Sequence, residues 1–433
     1  MPREFLSHTI DASTAVGEPI EKEDYVLNQT VCLTRALFAT LFVFASTLLQ
    51  SSEGQEPLKI FVLAGQSNMV GHARAHTAAT LLASDTPRDR ELVEMIFVEG
   101  HGLSREVLEE QLRRGRQIDA LTGGISNNKV KEMAEGPEKE ALVKKSDGLK
   151  AEHESYKKSI AGKCRTSERV YIHSIADRNR QSGPLKVGCG AATDKIGPEY
   201  GFGLSMEKKL DGPILIIKTS WGGKSLNYNF RPPSAGAYVL NEKEQASDKA
   251  EKIREEASLN YRLMVDEIHE VLGDLGNYHP AYDSSVGHEF AGFVWFQGFN
   301  DQFSPEFRDN YRQNMIHFVA DVRKELKTPE MPFVIGVLGT PVTPEKIAEN
   351  AVSVAQREAA KELGVENGVL AVESYLHYSH YSNAVFQKGW PEHYHEWDTV
   401  GSDRPYHYLG SGAFFVRLGD AFADAVEQLM VKQ

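Results

Sequence analysis

Cysteine is scarce in this sequence, which contains only Cys32, Cys164 and Cys189 among its 433 residues. So few thiols exclude a zinc site built on thiolates. In an oxidising compartment Cys164 and Cys189 could form one disulfide, provided that the fold brings them close together. Two free, buried thiols are the other outcome that the sequence leaves open.

Basic residues are also under-represented, with 48 lysines and arginines against 61 acidic residues and a formal net charge of -13. No basic stripe runs along the chain, which argues against nucleic acid or an anionic membrane as a partner. We therefore expect a neutral or small substrate. Internal repeats and low-complexity tracts are absent as well.

Long apolar runs are missing except at residues 36–49, which follow Arg35 and precede the small, polar residues 51–54. The run is too short to span a bilayer comfortably and is typical of a signal-peptide core, with Ser52-x-Gly54 as a cleavage site. We expect residues 1–54 to be a leader, with an extension or mis-assigned start over about 1–30, and the protein to be exported. An uncleaved anchor or a buried helix is the alternative. Without the leader, 45 basic residues face 54 acidic ones.

The rest of the chain, residues 55–433, suits one large domain with an insertion, or two domains, because 41% of the whole sequence is hydrophobic. From about 75 to 185 the pattern is charged and lacks clear strands. We predict solvent-exposed helices with loops between them in this insertion.

Beyond the insertion, strands and helices alternate. Apolar, β-branched runs predict the strands, and apolar positions recurring every three or four residues predict the helices. The expected strands cover 60–65, 213–220, 290–296, 332–338 and 368–373, and the expected helices cover about 246–272, run onward from 305 and from 344, and cover 411–430. The alternation predicts an α/β fold with a parallel sheet covered on both faces, and such sheets carry their sites at the carboxyl ends of the strands.

The first strand ends in G-Q-S-N-M at Gly65–Met69. A serine between a strand and a helix presents its hydroxyl at the rim of the sheet, with its N–H in the positive field of the helix N-terminus. Ser67 is therefore a candidate nucleophile. A turn or cap residue is the more common role for such a serine, so other segments must support the assignment.

Three later segments supply the groups that a nucleophilic serine needs. The turn Trp221–Gly223 and the segment Trp295–Asp301, which holds Gln297 and Asn300, follow strands, and the amides can donate hydrogen bonds to an oxyanion. Asp403 and His407 lie on one loop before the last helix, where the imidazole could take the serine proton and the carboxylate could orient the ring. Each segment alone has a structural alternative. Trp295–Asp301 could be a turn stabilised by its Asn and Gly residues, and His407 is one of 15 histidines, most of which need no catalytic role.

Together, Gly65–Met69, Trp221–Gly223, Trp295–Asp301 and the Asp403/His407 loop resemble the SGNH hydrolase superfamily. The resemblance is to the branch of sialate O-acetylesterases and carbohydrate esterases that includes acetylxylan esterases. It implies a three-layer α/β/α sandwich with a parallel, five-stranded, flavodoxin-like sheet. It also implies a serine esterase that removes O-acetyl groups from carbohydrates with neither cofactor nor metal.

The resemblance further implies a role for individual residues. It implies that Ser67 is the nucleophile, that His407 is the base and that Asp403 is the carboxylate partner of His407. The implied oxyanion hole consists of the Ser67 N–H, Gly222 or Gly223, and Gln297 or Asn300. The flanking residues Gln66 and Asn68 are the implied substrate contacts.

Two features depart from the family pattern. The usual spacing is Asp-x-x-His, whereas Asp403 stands four residues before His407, so Asp398 and Asp301 are alternative partners for the histidine. A second glycine-rich turn, Lys195–Gly203, could also supply the oxyanion hole.

Other functions stay open at this point. The chain could be a carbohydrate-binding relative without turnover, or an enzyme that transfers or hydrolyses a different acyl group. The cluster His393–Asp398 suggests a metal site but lacks further ligands at helical spacing. The neighbouring aromatic residues Trp390, Tyr394 and Trp397 could stack on a sugar.

Overall fold

The computed structural model describes residues 56–125, 130, 132–340 and 343–431. The apolar run at 36–49, the cleavage site Ser52-x-Gly54 and Cys32 lie outside these residues, so the leader and export stay predictions. No helix in the described part of the chain is long and apolar enough to cross a membrane.

Strands and helices alternate along the described chain. The strands are β1 (Leu58–Gly65), β2 (Ala73–Arg74), β3 (Val170–Ala176), β4 (Asn179–Pro184), β5 (Lys195–Ile196), β6 (Ile214–Ser220), β7 (His288–Phe296), β8 (Phe333–Val337) and β9 (Val369–Glu373). The α-helices are α1 (Ser67–Val70), α2 (Pro87–Ile96), α3 (Arg105–Thr122), α4 (Pro137–Gly162), α5 (Pro198–Lys209), α6 (Glu242–Gln245), α7 (Ala250–Glu256), α8 (Leu259–Gly273), α9 (Leu275–Tyr278), α10 (Pro305–Glu325), α11 (Pro344–Glu349), α12 (Ala351–Leu363), α13 (His380–Phe386), α14 (Tyr394–Trp397) and α15 (Gly412–Met430).

A seven-stranded sheet runs in the order β4-β3-β6-β1-β7-β8-β9. Neighbouring strands are parallel except for β3 and β4, which are antiparallel. The part β6-β1-β7-β8-β9 has the flavodoxin-like order, in which the winding reverses next to β1. The crevice at the carboxyl ends of β1 and β7 is therefore the topological switch point, where ligands bind in such sheets.

Helices cover both faces of this sheet. On β1, Phe61 and Leu63 pack on the face that carries α5 and α15, whereas Ile60 and Val62 pack on the face that carries α8, α10 and α12. Strands buried on both faces must be apolar at nearly every position, and this explains the unbroken run of β1. The expected three-layer α/β/α fold is confirmed.

The predicted strands correspond to β1, β6, β7, β8 and β9, but the expected number of five is wrong. Strands β3 and β4 extend the sheet to seven, and both lie within residues 75–185. Polar residues interrupt the apolar pattern of β3. His173 and Ser174 are buried, where His173 bonds Glu267 and Ser174 donates to the Cys189 carbonyl. The edge strand β4 is largely polar.

Two smaller expectations are resolved by the structure. The helix expected at about 246–272 is divided, because Ser258 adopts a left-handed conformation (φ 62°) between α7 and α8. Cys164 and Cys189 are free thiols, so the disulfide alternative is wrong. Burial raises the pKa of Cys164 to about 12 and that of Cys189 to about 11, which makes both thiols poor nucleophiles.

Candidate active site

Ser67 lies at the switch point, as the first residue of α1. A β-carbon at Gly65 would lie 2.2 Å from the Phe296 carbonyl oxygen, so glycine allows β1 to end this close to β7. The Ser67 side chain is mostly buried but keeps some exposure. Its backbone N–H belongs to the first turn and has no acceptor within the helix. A hydroxyl and a free N–H are thus presented together at the rim of the sheet.

The Gln66 side chain joins this turn to the turn after β7. Its Oε1 accepts hydrogen bonds from Gln297 Nε2 (3.1 Å), Gly298 N (3.1 Å) and Asn300 N (3.2 Å). Its Nε2 donates to Asn300 Oδ1 (3.0 Å). Gln66 is only 1% exposed, so its amide holds the two turns in register and is committed to protein contacts.

The two candidate amide donors are in different situations. Gln297 Nε2 also donates to Asp301 Oδ2 (2.6 Å) and to the Lys224 carbonyl (2.9 Å), and the side chain is buried. Asn300 Nδ2 donates to the Gly223 carbonyl (3.0 Å) and carries a second N–H. This geometry favours Asn300 as the amide of an oxyanion hole.

The two neighbouring glycines differ in whether their N–H group already has a hydrogen-bond acceptor. The Gly222 N–H donates to Asp177 Oδ1 at 2.6 Å, which leaves the N–H of Gly223 as the better candidate donor. Gly223 adopts a φ of 70°, a conformation that favours glycine. The alternative turn Lys195–Gly203 lies behind α1, where Gly197 packs directly against Gly71.

Asp403 lies between two histidines. Its carboxylate oxygens are 3.4 Å from His407 Nδ1 and 3.3 Å from His72 Nδ1. The two imidazole rings stack with centroids 4.1 Å apart and planes 9° apart. The sequence pattern did not identify His72, although it follows the serine segment by three residues, because only the fold brings it to the loop of His407.

The other carboxylates considered for this role have different partners. Asp398 contacts Lys157 and Arg74, and Asp301 accepts hydrogen bonds from the backbone N–H groups of Leu226 (2.9 Å) and Asn227 (3.0 Å). Asp403 is the one of the three that the structure brings to His407.

Both neighbours of His407 have shifted pKa values. Burial alone would raise the pKa of Asp403, but contacts with His407 and His72 hold it well below its usual range. Burial lowers the pKa of His72 and outweighs the contact with Asp403, which raises it, while the nearby His407 adds a smaller lowering. At neutral pH the Asp403 carboxylate is therefore charged and His72 is neutral. A charged carboxylate is what the orientation of a catalytic imidazole requires.

The loop of His407 is held in a strained conformation. Tyr408 and Leu409 both have positive φ values (49° and 62°), which cost energy in residues with a side chain. The Tyr408 hydroxyl accepts from Gly339 N (2.8 Å) and bonds Ser374 Oγ (2.8 Å), and its ring stacks on Phe414 at 3.9 Å. These contacts fix the backbone at the position next to His407.

A direct contact connects the histidine loop to the serine turn. Asn68 Nδ2 donates a hydrogen bond to the Tyr406 carbonyl at 3.3 Å, and Asn68 is 3% exposed. The residue after Ser67 thus bonds the residue before His407.

The insertion holds the chain that leads into this loop. Asp119 of α3 accepts hydrogen bonds from the backbone N–H groups of His395 (3.0 Å) and Glu396 (2.9 Å) at the start of α14. Lys157 of α4 is buried and pairs with Asp398, one residue beyond α14. The two helices therefore fix residues 395–398.

Potential metal ligands occur in two groups of side chains. In the cluster His393–Asp398, His395 bonds Asp119 (2.8 Å) and Glu396 pairs with Arg116 (2.9 Å) and Lys388 (2.6 Å), so these groups are occupied by protein partners. Within the described ranges, His72, Asp403 and His407 place metal-type donor atoms within 4.8 Å of one another.

The aromatic residues around that cluster pack among themselves. Trp390, Tyr394 and Trp397 are in mutual contact at 6.0 to 6.4 Å, and Trp397 is only 4% exposed. The Arg404 guanidinium covers Trp390 at 3.9 Å. This group forms a small core against α3.

Residues 145–390 match the family model described as "SASA: Carbohydrate esterase, sialic acid-specific acetylesterase". The match covers the β7 segment and both glycines but neither Ser67 nor the Asp403/His407 loop. Comparison with curated proteins gives no sequence match.

Several solved structures are similar at low identity. A protein from Arabidopsis thaliana has 13% identity and a TM-score of 0.40, with 86% of this chain and 98% of that chain covered. A carbohydrate acetylesterase from Xanthomonas citri has 13% identity and a TM-score of 0.35, with coverage of 73% and 49%. NanS has 12% identity and a TM-score of 0.36, with coverage of 73% and 78%.

Proposed function

The chain belongs to the SASA family of carbohydrate esterases, the sialic acid-specific acetylesterases, and on that premise we propose that its hydrolysis proceeds through an acetyl-enzyme on Ser67. It is a carboxylic ester hydrolase with an acetylated carbohydrate as substrate. The serine mechanism and the roles of individual residues are our proposal.

The hydrogen bond from Asn68 to the Tyr406 carbonyl is the observation that supports the proposal most strongly. It ties the turn of the candidate nucleophile to the loop of the candidate base, although 338 positions separate the two residues in sequence. The charged Asp403 beside His407 then supplies the third member of a Ser-His-Asp arrangement.

In the first step His407 takes the Ser67 proton as the serine oxygen bonds to the acetyl carbonyl carbon. The oxyanion accepts hydrogen bonds from the N–H groups of Ser67 and Gly223 and from Asn300 Nδ2. The protonated His407, stabilised by Asp403, returns its proton to the sugar oxygen as the ester C–O bond breaks. Water then attacks the acetyl-enzyme by the same route, releasing acetate and restoring Ser67.

The sugar is the open part of the proposal. Acetylated sialic acids are the first choice because of the family, and acetylated xylans are the second. Acetate release from both classes, measured side by side, identifies the preferred one. If an acceptor sugar became acetylated while no acetate was released, the enzyme would be a transferase.

Replacement of the nucleophile tests the mechanism. In Ser67→Ala we expect kcat for acetate release to fall by at least about 10³-fold, because oxyanion stabilisation and binding alone leave little turnover. Ser284→Ala is the matched control, because Ser284 is an exposed residue ahead of β7, at the opposite end of the sheet. A fluorophosphonate should label wild type and Ser284→Ala and should not label Ser67→Ala. Labelling of Ser67→Ala with retained turnover would refute the assignment.

We further propose that the protein is exported, on the basis of the apolar run at 36–49. Cell fractionation and N-terminal sequencing of the secreted form should give a mature chain that begins close to residue 55. An intact leader on a cytoplasmic protein would contradict export.

A further inference from the structure

Three aromatic side chains form an exposed group at the rim of the sheet. Phe299 contacts Phe303 with ring centroids 5.2 Å apart and Tyr406 with centroids 5.9 Å apart. Phe303 is 69% exposed and Tyr406 is 45% exposed. We call Phe299, Phe303 and Tyr406 the aromatic ledge.

The ledge differs from the other exposed apolar residues. Single exposed side chains are normal on protein surfaces and need no explanation. Here two strongly exposed rings meet a third, and they come from separate parts of the chain, the turn after β7 and the loop of His407. Neither exposed ring is sealed into the core, so the contact leaves a sizeable apolar surface open to solvent.

The ledge is continuous with the candidate catalytic groups. The Tyr406 ring contacts the His407 ring with centroids 4.5 Å apart and planes 74° apart. Phe299 precedes Asn300, the candidate oxyanion donor, and the Tyr406 carbonyl accepts the hydrogen bond from Asn68. The part of a bound substrate that projects from Ser67 toward Tyr406 therefore lies across the ledge.

We propose that the aromatic ledge binds a sugar ring of the substrate and so selects carbohydrate esters over simple acetates. This inference rests on the proposed function, because the sugar must be joined to the acetyl group attacked by Ser67. The C–H face of a pyranose is apolar and packs on an aromatic ring, while its hydroxyl groups stay in water at the rim. Such a surface suits a sugar better than a flat apolar partner, because Phe299 and Phe303 meet edge to face and form a corner (76°).

Phe303→Ala is the decisive variant, since its ring is the most exposed and no catalytic group touches it. The quantity to measure is the ratio of kcat/KM for an acetylated oligosaccharide to kcat/KM for vinyl acetate, which has no sugar. We expect this ratio to fall about tenfold in Phe303→Ala, because aromatic contacts contribute on that scale. Phe303→Tyr should restore it. Leu263→Ala, an exposed position on α8, is the matched control and should leave the ratio unchanged.

A binding experiment separates this inference from the proposed function. Ser67→Ala, with and without Phe303→Ala, is titrated with acetylated sialic acids and acetylated xylo-oligosaccharides, and the dissociation constants are compared. Binding that weakens about tenfold with Phe303→Ala supports the ledge even if Ser67 proves not to be the nucleophile.

Equal binding in both proteins, or no binding of any of these sugars, would overturn the proposal that the ledge binds sugar. Hydrolysis of vinyl acetate would still test the role of Ser67 independently. A change of molecular mass in Phe303→Ala together with an unchanged ratio would identify the ledge as a contact between copies and would overturn the proposal.

Discussion

His72 and His407 stack on each other with ring centroids 4.1 Å apart and share one carboxylate, Asp403. Because burial holds His72 neutral at neutral pH, it contributes a contact to Asp403 without a competing charge. In the proposed mechanism one imidazole of the pair, His407, accepts the serine proton, and the second packs on that ring and contacts its carboxylate. We interpret His72 as a positioning residue.

His72→Ala tests this role. Removal of the stacked ring leaves His407 free to turn, so we expect kcat to fall about tenfold, with a smaller change in KM. The acid limb of the pH profile of kcat/KM should also move, because Asp403 would then face one imidazole instead of two. His72→Gln, which keeps a donor for Asp403, should restore part of kcat. An unchanged pH profile together with a lowered melting temperature would mean that His72 is only structural.

The two amide side chains should give opposite results on substitution. Asn300→Ala removes the proposed oxyanion donor, so we expect kcat to fall by about 10²- to 10³-fold. It also removes the acceptor of the buried Gln66 Nε2, so we expect a loss of stability that is smaller than in Gln297→Ala. Gln297→Ala leaves the buried Asp301 and Gln66 oxygens short of donors, so its main effect should be a lower free energy of unfolding. Thermal unfolding and steady-state kinetics on both variants distinguish the roles. The reverse pattern would make Gln297 the donor.

A buried ion pair supports the helix that begins with Ser67. Lys218 is fully buried and donates to Glu199 Oε2 (2.7 Å) and to the carbonyl of Val70 (2.8 Å), the last residue of α1. Lys218→Met should lower the free energy of unfolding by about 3–5 kcal/mol, because it leaves the Glu199 charge buried without its countercharge. The double variant with Glu199→Gln should recover part of that loss. Additive losses in a double-mutant cycle, measured by denaturant unfolding, would show that the two residues do not interact.

Asp301 should make stability depend on pH in an unusual direction. Burial raises its pKa to about 6, although hydrogen bonds from Asn227, Gln297 and Leu226 oppose the shift. A carboxyl group with a raised pKa binds its proton more tightly in the folded state, so its contribution to stability is largest below pH 3.8 and is lost as the pH rises through about 6. Asp301→Asn removes this term. The free energy of unfolding of wild type relative to Asp301→Asn should therefore decrease between about pH 4 and pH 7, and a constant difference would contradict the shift.

The sequence alone predicts the strands that are buried on both faces of the sheet. Strands β1 and β6 lie between two helical layers, so each contains a continuous apolar run, residues 60–64 and 214–217, that is visible in the sequence. Strand β3 could not be recognised in this way, because His173 and Ser174 are buried against specific polar partners that the local sequence does not reveal. The edge strand β4 is exposed at alternating positions and contains no apolar run.

The candidate site was predictable for similar reasons. Ser67, Asn300 and His407 follow or precede recognisable elements, so their places next to the sheet could be predicted, and their chemical roles stay predictions. His72 was not, because its partners lie more than 300 positions later in the chain and nothing in its local sequence indicates them. The order of preference between Gln297 and Asn300 also depends on hydrogen bonds that only the folded chain defines.

The contacts of Asp119 and Lys157 have a consequence for how such enzymes can be shortened or recombined. Helices α3 and α4 lie outside the central sheet, yet they fasten residues 395–398, from which the chain runs directly into the loop of His407. A shortened enzyme made by deleting these helices would lose the contacts that fix the chain leading into the loop of His407. Chimeras between relatives should therefore exchange the insertion and the segment 393–407 as one unit.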